Sequence, residues 1–464
     1  MRGPSHLTLY ELYQRAPAFV RAVVDAGYRF VPERFLRSSR MRRTLEEIER
    51  TQWLAPPLIA RLQLDRLRVL VMHAGTHVPY YRELFARVGF DPAALRATGD
   101  LSVLPVLTRF DVRRLGAALH SEAFSPRDVY DSATSGSTGL WLNFRRDAGY
   151  YDTELAFTWR YMRWLGIRVQ WRHAIFYRAI MRHPSSDPAL PPHERYRNRL
   201  ILSQFHTDAA SLAAYVRMLD DFHAEYMTVF PTTLLILTRY CAAHAPRVHR
   251  PRLIICYSEN LYEEHRREME AFWGCRIFNR YGHSEGCVSA AECEQGRLHL
   301  SAEYGVTEIL RDDGSPAPAG EEGRIVATGL YTTAMPFIRY DTEDRAVLDP
   351  TPCPCGRGLP VLARIDGRGD DLVLGADGRR VAAYRAVYAH THGIRFTQIV
   401  QERPGEIIVR IVPDDGYDPS VQDVLRANIR AQVGDSLAVR FDLVDDVERT
   451  PSGKIRLVLS RLRE

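Results

Sequence analysis

Leu253-Ile254-Ile255-Cys256, then YEEHRREMEAFW over residues 262–273, then Arg276-Ile277-Phe278-Asn279: this succession sets the architecture of the chain. The first four residues are apolar without alternation, as in a strand covered on both faces. The middle run repeats Tyr262, His265, Met269 and Trp273 at helical spacing among charges. Strand, helix and strand in that order favour an α/β sheet with helices packed on it. Toward the N-terminus the unit recurs, with an amphipathic helix expected over residues 210–222 and a buried strand at Met227-Thr228-Val229-Phe230. The alternation runs from residue 129 to about residue 365.

Further out the pattern changes. Residues 1–120 are expected to be mainly helical, with apolar residues at three- and four-residue spacing over 44–52 and 57–73. Thr108 is expected to cap the helix that follows Leu104-Pro105-Val106-Leu107. Residues 298–348 are richer in strand signals, and Asp312-Asp313-Gly314-Ser315 marks a hairpin turn between strands at 306–310 and 323–328. After Asp366-Gly367-Arg368-Gly369 comes a compact tail with strands expected at 372–374, 406–412 and 438–444 and a helix at 421–433. The expected fold class is therefore α/β: a large N-terminal domain of mixed sheets with packed helices (residues 1–366) and a small, mobile α+β domain (residues 367–464).

Bulk properties exclude several alternatives. With 464 residues, 45% hydrophobic and 26% charged, the chain has the composition of a globular protein with a substantial core. Its net charge of +5 is spread along the sequence, so a nucleic-acid partner is not expected. The densest basic run, residues 37–43, reads as a solvated surface. The longest early apolar stretch, residues 18–24, is broken by Arg21 and far too short for a transmembrane segment, so a cytoplasmic location is expected. Seven cysteines in that setting argue against a disulfide framework.

Five short segments carry chemistry. Thr134-Ser135-Gly136-Ser137-Thr138-Gly139 combines two glycines with four hydroxyls, a composition that lets N–H and O–H donors converge on phosphate oxygens, although a plain Ser/Gly loop has the same look. Tyr281-Gly282-His283-Ser284-Glu285-Gly286 follows an expected strand; a tyrosine ring there suits a purine, and the Glu285 carboxylate suits Mg²⁺. His283 in the same segment is a candidate lining residue of an acyl pocket, with a hydrogen-bonded structural histidine as the rival reading. Arg339-Tyr340-Asp341-Thr342-Glu343-Asp344 offers carboxylates fit for a ribose diol. Arg368 and Asp370 lie at the expected domain boundary, and Arg449-Thr450-Pro451-Ser452-Gly453-Lys454 puts a mobile lysine near the end of the chain.

In this order the segments resemble the adenylate-forming superfamily of acyl- and aryl-CoA ligases, and most closely its phenylacetate–CoA ligase-like branch with the capsule-biosynthesis relatives. His77-Val78-Pro79-Tyr80-Tyr81-Arg82 and Ala334-Met335-Pro336-Phe337-Ile338-Arg339-Tyr340 extend the likeness over nearly the whole chain. The resemblance implies two steps: a carboxylate attacks ATP to give acyl-AMP, and coenzyme A or an amine then takes the acyl group. It implies that Thr134 to Gly139 hold the β- and γ-phosphates, that Tyr281 with Gly282 meets adenine and Glu285 Mg²⁺, and that Asp344 holds the ribose with Arg368 beside it. It makes Asp370 the hinge and Lys454 the donor that reaches the reacting phosphate and carboxylate, where charge builds up only in the transition state. A coenzyme A ligase is the reading preferred; an amide-forming ligase and a non-catalytic nucleotide-binding relative are its rivals. Two departures stand out. Leu140-Trp141 occupies the place where the family often has a Pro-Lys pair, and Glu343 stands where glycine is usual.

Cys353-Pro354-Cys355, with Cys293 and His299 upstream, offers thiolate and imidazole ligands in a set that suits tetrahedral Zn²⁺, and the branch shows a similar cysteine pair. Cys287 is the substitute ligand, and reduced cysteines in a turn are the alternative. The oligomeric state and the identity of the acid are not legible.

Overall fold

The computed structural model describes residues 17–28, 30–35, 37–133, 142–177, 190–204, 206–366, 373–376, 380–381, 393–414, 416–433, 437–449 and 455–462. The N-terminal region is helical as expected: α1 (Ala18–Tyr28), α2 (Ser39–Thr51), α3 (Pro56–His77), α4 (Pro79–Val88) and α5 (Arg109–Leu115). Local chemistry sets the boundaries. Ser38 Oγ accepts from Met41 N at 3.0 Å to start α2, and prolines begin α3 and α4. Thr108 caps α5 reciprocally with Asp111: Asp111 N donates to Thr108 Oγ1 (3.2 Å) and Thr108 N to Asp111 Oδ2 (3.1 Å).

A hairpin follows, β1 (Val129–Ala133) and β2 (Asn143–Asp147), paired from Val129↔Asp147 to Ala133↔Asn143. Asp147 then caps α6 (Ala148–Trp164) by accepting from Gly149 N (2.8 Å) and Tyr150 N (3.1 Å).

The large sheet is built from β3 (His173–Tyr177), β4 (His193–Tyr196), β5 (Arg199–Ser203), β6 (Tyr226–Val229), β7 (Leu253–Tyr257) and β8 (Arg276–Gly282), interleaved with α7 (Ala209–Phe222), α8 (Pro231–His244) and α9 (Glu263–Trp273). It continues through β9 (Ser289–Glu292), β10 (Leu298–Leu300), β11 (Gly305–Leu310), β12 (Glu322–Gly329), β13 (Tyr340–Asp349) and β14 (Val361–Asp366). Among the described residues it has twelve strands in the order β11-β12-β13-β14-β10-β9-β8-β7-β6-β3-β5-β4. From β5 through β3, β6 and β7 to β8 the neighbours are parallel; from β8 to β9 and onward they are antiparallel. Every residue of β6 and the first four of β7 are buried, as strands covered by helices require. The change of direction falls at β8, whose carboxyl end is Tyr281-Gly282, and crevices for ligands open at such points. The expected strand at 276–279 thus runs three residues further and takes two motif residues into the sheet.

The β11–β12 pair is the expected hairpin. Its connection is longer than a tight turn, and the Asp-Asp-Gly-Ser element is closed within it by Arg311 N to Ser315 O (2.8 Å). The tail contains β15 (Val373–Leu374), β16 (Arg380–Val381), β17 (Ile394–Arg403), β18 (Glu406–Pro413), α10 (Val421–Val433), β19 (Ala438–Leu443) and β20 (Val458–Ser460). Its four-stranded sheet has the order β19-β18-β17-β20, with β18 and β19 parallel across α10. The expected helix is found with its bounds unchanged. The central strand, β17, is one the sequence pattern did not announce.

Candidate functional site

Two chain segments are laced together beside the carboxyl end of β8. Leu107 N donates to Arg339 O (2.8 Å) and Asp341 N to Leu107 O (3.0 Å), so the start of α5 lies against the start of β13. This contact brings Arg109, Tyr340 and the loop 341–344 to the turn 283–286 that joins β8 to β9. Gly286 makes the turn possible. Its φ is +71°, and a Cβ there would come within 2.3 Å of the Tyr150 hydroxyl.

Residues picked from separate motifs meet here. Tyr281 Oη donates to Asp344 Oδ2 at 2.7 Å, joining the residue expected at adenine to the one expected at ribose. Glu285 is 2% exposed and both its oxygens are engaged. Tyr340 Oη donates to Oε1 (3.1 Å), His283 Nδ1 to Oε2 (3.1 Å), and Arg109 Nη2 lies 3.8 Å from Oε1. Burial opposes its ionisation, but the hydrogen bond and charge of His283, with Arg109 behind them, hold its pKa down to about 2. A carboxylate has about four acceptor positions, so Glu285 is ionised at neutral pH with acceptor capacity left for a cation. His283 lies between the tyrosines, its ring 6.5 Å from Tyr281 and 6.3 Å from Tyr340, and its Nε2 is buried without a hydrogen-bond partner.

Arg109 and Tyr340 were missed as functional residues. Both lie inside segments the sequence singled out, but the link between those segments is a backbone bridge that no pattern of residue types announces. Arg109 also explains a departure. Glu343 has φ +66°, the left-handed conformation in which glycine is at ease, and its Oε2 lies 3.6 Å from Arg109 Nε. The ion pair offsets strain that glycine would not have.

A second cluster forms where β9 ends, β10 runs and the chain enters β14. Cys293, His299, Cys353 and Cys355 place their ligand atoms within 4.8 Å of one another. Cys293 Sγ lies 3.7 Å from Cys353 Sγ, and Cys355 Sγ lies 3.3 Å from His299 Nε2. With Zn–S bonds of about 2.3 Å, two sulfurs of a tetrahedron stand about 3.8 Å apart. The donors therefore fit zinc in type, number and spacing. His299 is prepared as a ligand. Burial lowers its pKa to about 4, keeping the ring neutral, and Nδ1 donates to Leu359 O (3.2 Å), which leaves the Nε2 lone pair facing Cys355. Cys287 is not part of this group; its thiol donates to Glu285 O at 3.6 Å.

Residues 375–461 match the family described as the CapK C-terminal domain. The chain is 22% identical over 416 residues to Protein CapK of Staphylococcus aureus, an alignment covering 87% of this chain and 89% of that protein. It is 24% identical over 451 residues to the phenylacetate-coenzyme A ligase of Thermus thermophilus, covering 86% and 95%. A crystal structure of 2-hydroxyisobutyryl-CoA ligase in the postadenylation state in complex with R3-HIB-AMP has the same fold, with a TM-score of 0.72 at 18% identity over 89% of this chain and 91% of that one. The chain has the fold of the adenylate-forming ligases and is similar in sequence to CapK and to phenylacetate–coenzyme A ligases over most of its length.

The described residues thus bring together Tyr281, Gly282, His283, Glu285 and Asp344. Thr134 to Gly139, Arg368, Asp370 and Lys454 lie outside the described residues. Among the described residues no helix is long and apolar enough to cross a membrane.

Proposed function

We propose that the chain activates an organic acid with ATP and passes the acyl group to the thiol of coenzyme A. The observation that carries this reading is the pairing of Tyr281 with Asp344 next to the buried, ionised Glu285, at the strand where the sheet changes direction. Tyr281 and Gly282 meet the adenine, Asp344 the ribose hydroxyls with Arg368 beside it, and Thr134 to Gly139 the phosphates. A carboxylate oxygen attacks the α-phosphorus and pyrophosphate leaves; the sulfur of coenzyme A then attacks the acyl carbon, AMP leaves, and the thiol proton passes to solvent. Mg²⁺, when bound, offsets phosphate charge, and Glu285 is its ligand on the protein. Lys454 arrives from the small domain, residues 367–464, which turns at Asp370 and donates to the oxygens as charge develops. His283 lines the acyl side of the cleft. Cys293, His299, Cys353 and Cys355 hold a structural Zn²⁺ that closes the loop 350–360 onto β10.

Acid-dependent exchange of labelled pyrophosphate into ATP tests the first step, with a panel of aromatic, fatty and hydroxy acids that includes phenylacetate and 2-hydroxyisobutyrate. Exchange with at least one acid is expected, and Lys454→Ala is expected to lower it by about one to two orders of magnitude while keeping ATP binding. No exchange with any acid would refute adenylation. AMP release that requires an amine and ignores coenzyme A would replace the thioester with an amide product.

A further inference from the structure

Arg146 is the fourth residue of β2, 2% exposed, seven residues beyond the segment assigned to the phosphates. Its guanidinium is stacked between the rings of Phe144 (4.4 Å) and Tyr150 (4.3 Å). Nη2 donates to Ser284 O at 2.8 Å, in the turn that carries Glu285. Nε and Nη1 are buried and have no hydrogen-bond partner.

The other buried arginines each have a carboxylate beside them. Arg160 pairs with Glu303 at 2.8 Å, Arg339 with Glu308 at 3.0 Å and Arg357 with Glu294 at 2.9 Å, and Arg109 faces Glu285 and Glu343. Among the described residues no carboxylate lies within ion-pair distance of Arg146. A guanidinium is permanently charged, and burying it without a counter-ion is costly unless something repays the loss. The aromatic faces repay part of it, and one carbonyl satisfies one nitrogen. Two nitrogens remain unpartnered, Nε and Nη1, already stripped of water.

Position indicates what they serve. Residues 134–144 contain no lysine or arginine, so the loop assigned to the triphosphate brings no cation of its own. Arg145 points out of the hairpin to Asp131 (3.3 Å), while Arg146 is on the buried face with Phe144. The Tyr130↔Arg146 pairing fixes the guanidinium three register steps from the last pair before the loop. Its contact with Ser284 ties it to the turn that carries Glu285.

We infer that Arg146 is the oxyanion receptor of this site: its two unpartnered nitrogens, Nε and Nη1, bind an anionic oxygen of a substrate and supply the charge that the glycine-hydroxyl loop lacks. The inference rests on the adenylation reading. Two groups of that reaction carry such an oxygen, the phosphate chain of ATP and the carboxylate of the acid, and substitution separates them.

The test uses the full-length chain, with equilibrium binding of Mg·ATP and of inorganic pyrophosphate, and pyrophosphate exchange with the acid selected by the panel above. Loss of a charge-assisted contact predicts that Arg146→Met weakens one ligand by about tenfold to a hundredfold. Weaker ATP and pyrophosphate binding with an unchanged KM for the acid assigns the phosphate chain. A raised KM for the acid with ATP binding kept within about twofold assigns the carboxylate. Arg146→Lys, which keeps the charge and loses the fork, restores part of the affinity in either case, and Arg145→Met leaves both ligands unaffected. The inference fails if Arg146→Met binds ATP and acid like the wild type. It also fails if Met and Lys variants lose melting temperature and all activity to the same extent, the result of a purely structural role. A wild-type chain that binds no ATP would instead overturn the adenylation reading on which this one stands.

Discussion

Burial drives a carboxyl group toward its neutral form, yet Glu285 keeps its charge inside the cleft, its pKa brought down from 4.5 to about 2 by His283 and Arg109. A depressed folded-state pKa makes a stability contribution that is complete above the unfolded value and disappears as the pH falls through the folded one. The window here opens near 4.5 and closes near 2. Across it the shift corresponds to on the order of 3 kcal/mol. Glu285→Gln cannot titrate, so its unfolding midpoint in denaturant should vary less steeply with pH over the upper part of that window than the wild-type midpoint does. Parallel pH profiles for the two proteins would mean that Glu285 is not the group responsible. The same residue shows why role and stability are entangled at this site: His283 and Arg109, which keep the carboxylate ionised, also fix its direction together with Tyr340, so each of them acts on any cation held there through Glu285.

At the scale of the elements, the Cys293–His299–Cys353–Cys355 cluster joins three pieces of the antiparallel half of the sheet: the end of β9, β10, and the loop leading into β14. Arg357 closes over it, stacked on Trp164 (4.4 Å) and Trp53 (4.9 Å) and paired with Glu294. A closed four-ligand zinc site adds directly to folding stability. Metal analysis of the purified chain should find about one zinc per molecule, and removal by a strong chelator under reducing conditions should lower the melting temperature. A zinc-free chain with unchanged melting would dispose of the metal. The elements also show where sequence reading succeeds and where it stops. α5 and α10 were legible because their signals are local: a Thr-to-Asp capping pair in one and helical apolar spacing in the other. β17 was not. Its interior includes Thr397, Gln398 and Gln401, all at most 1% exposed, and these polar residues hide the strand pattern. The two glutamines are tolerated because distant backbone satisfies them: Gln398 Nε2 donates to Glu448 O and Arg456 O, and Gln401 exchanges two bonds with Leu374. Likewise the motif residues Tyr281, Glu285 and Asp344 were visible singly. Arg109 and Arg146 were not, because their roles depend on which buried carboxylates stand nearby, and that is a property of the assembled sheet.

The whole molecule adds a relation between its two parts that neither local pattern contains. Arg449, in the tail segment just before the lysine-bearing residues, donates from Nη2 to Thr207 Oγ1 (2.6 Å) and from Nη1 to Gln204 O (3.5 Å), both in the large domain ahead of α7. Ile236 of α8 and Asp208 line a small cleft with Arg395, Phe396, Asp445 and Val447 of the tail, so the contact is partly apolar and partly polar. A surface of this mixed kind is one that a domain can leave and regain. If the tail turns between the two half-reactions, Arg449 stabilises one orientation and not the other, and its removal shifts the balance of populations without touching either reacting centre. Arg449→Ala should therefore change the rate of acyl-AMP formation and the rate of thioester formation from preformed acyl-AMP in opposite directions, by about threefold to tenfold for the loss of one charge-assisted contact partly exposed to solvent. Thr207→Val, which removes only the acceptor hydroxyl, should reproduce the same sign with a smaller size. Single-turnover measurements of the two steps decide the matter: equal slowing of both would make Arg449 a stabilising contact only, whereas opposed changes would tie this pair of residues to the alternation itself.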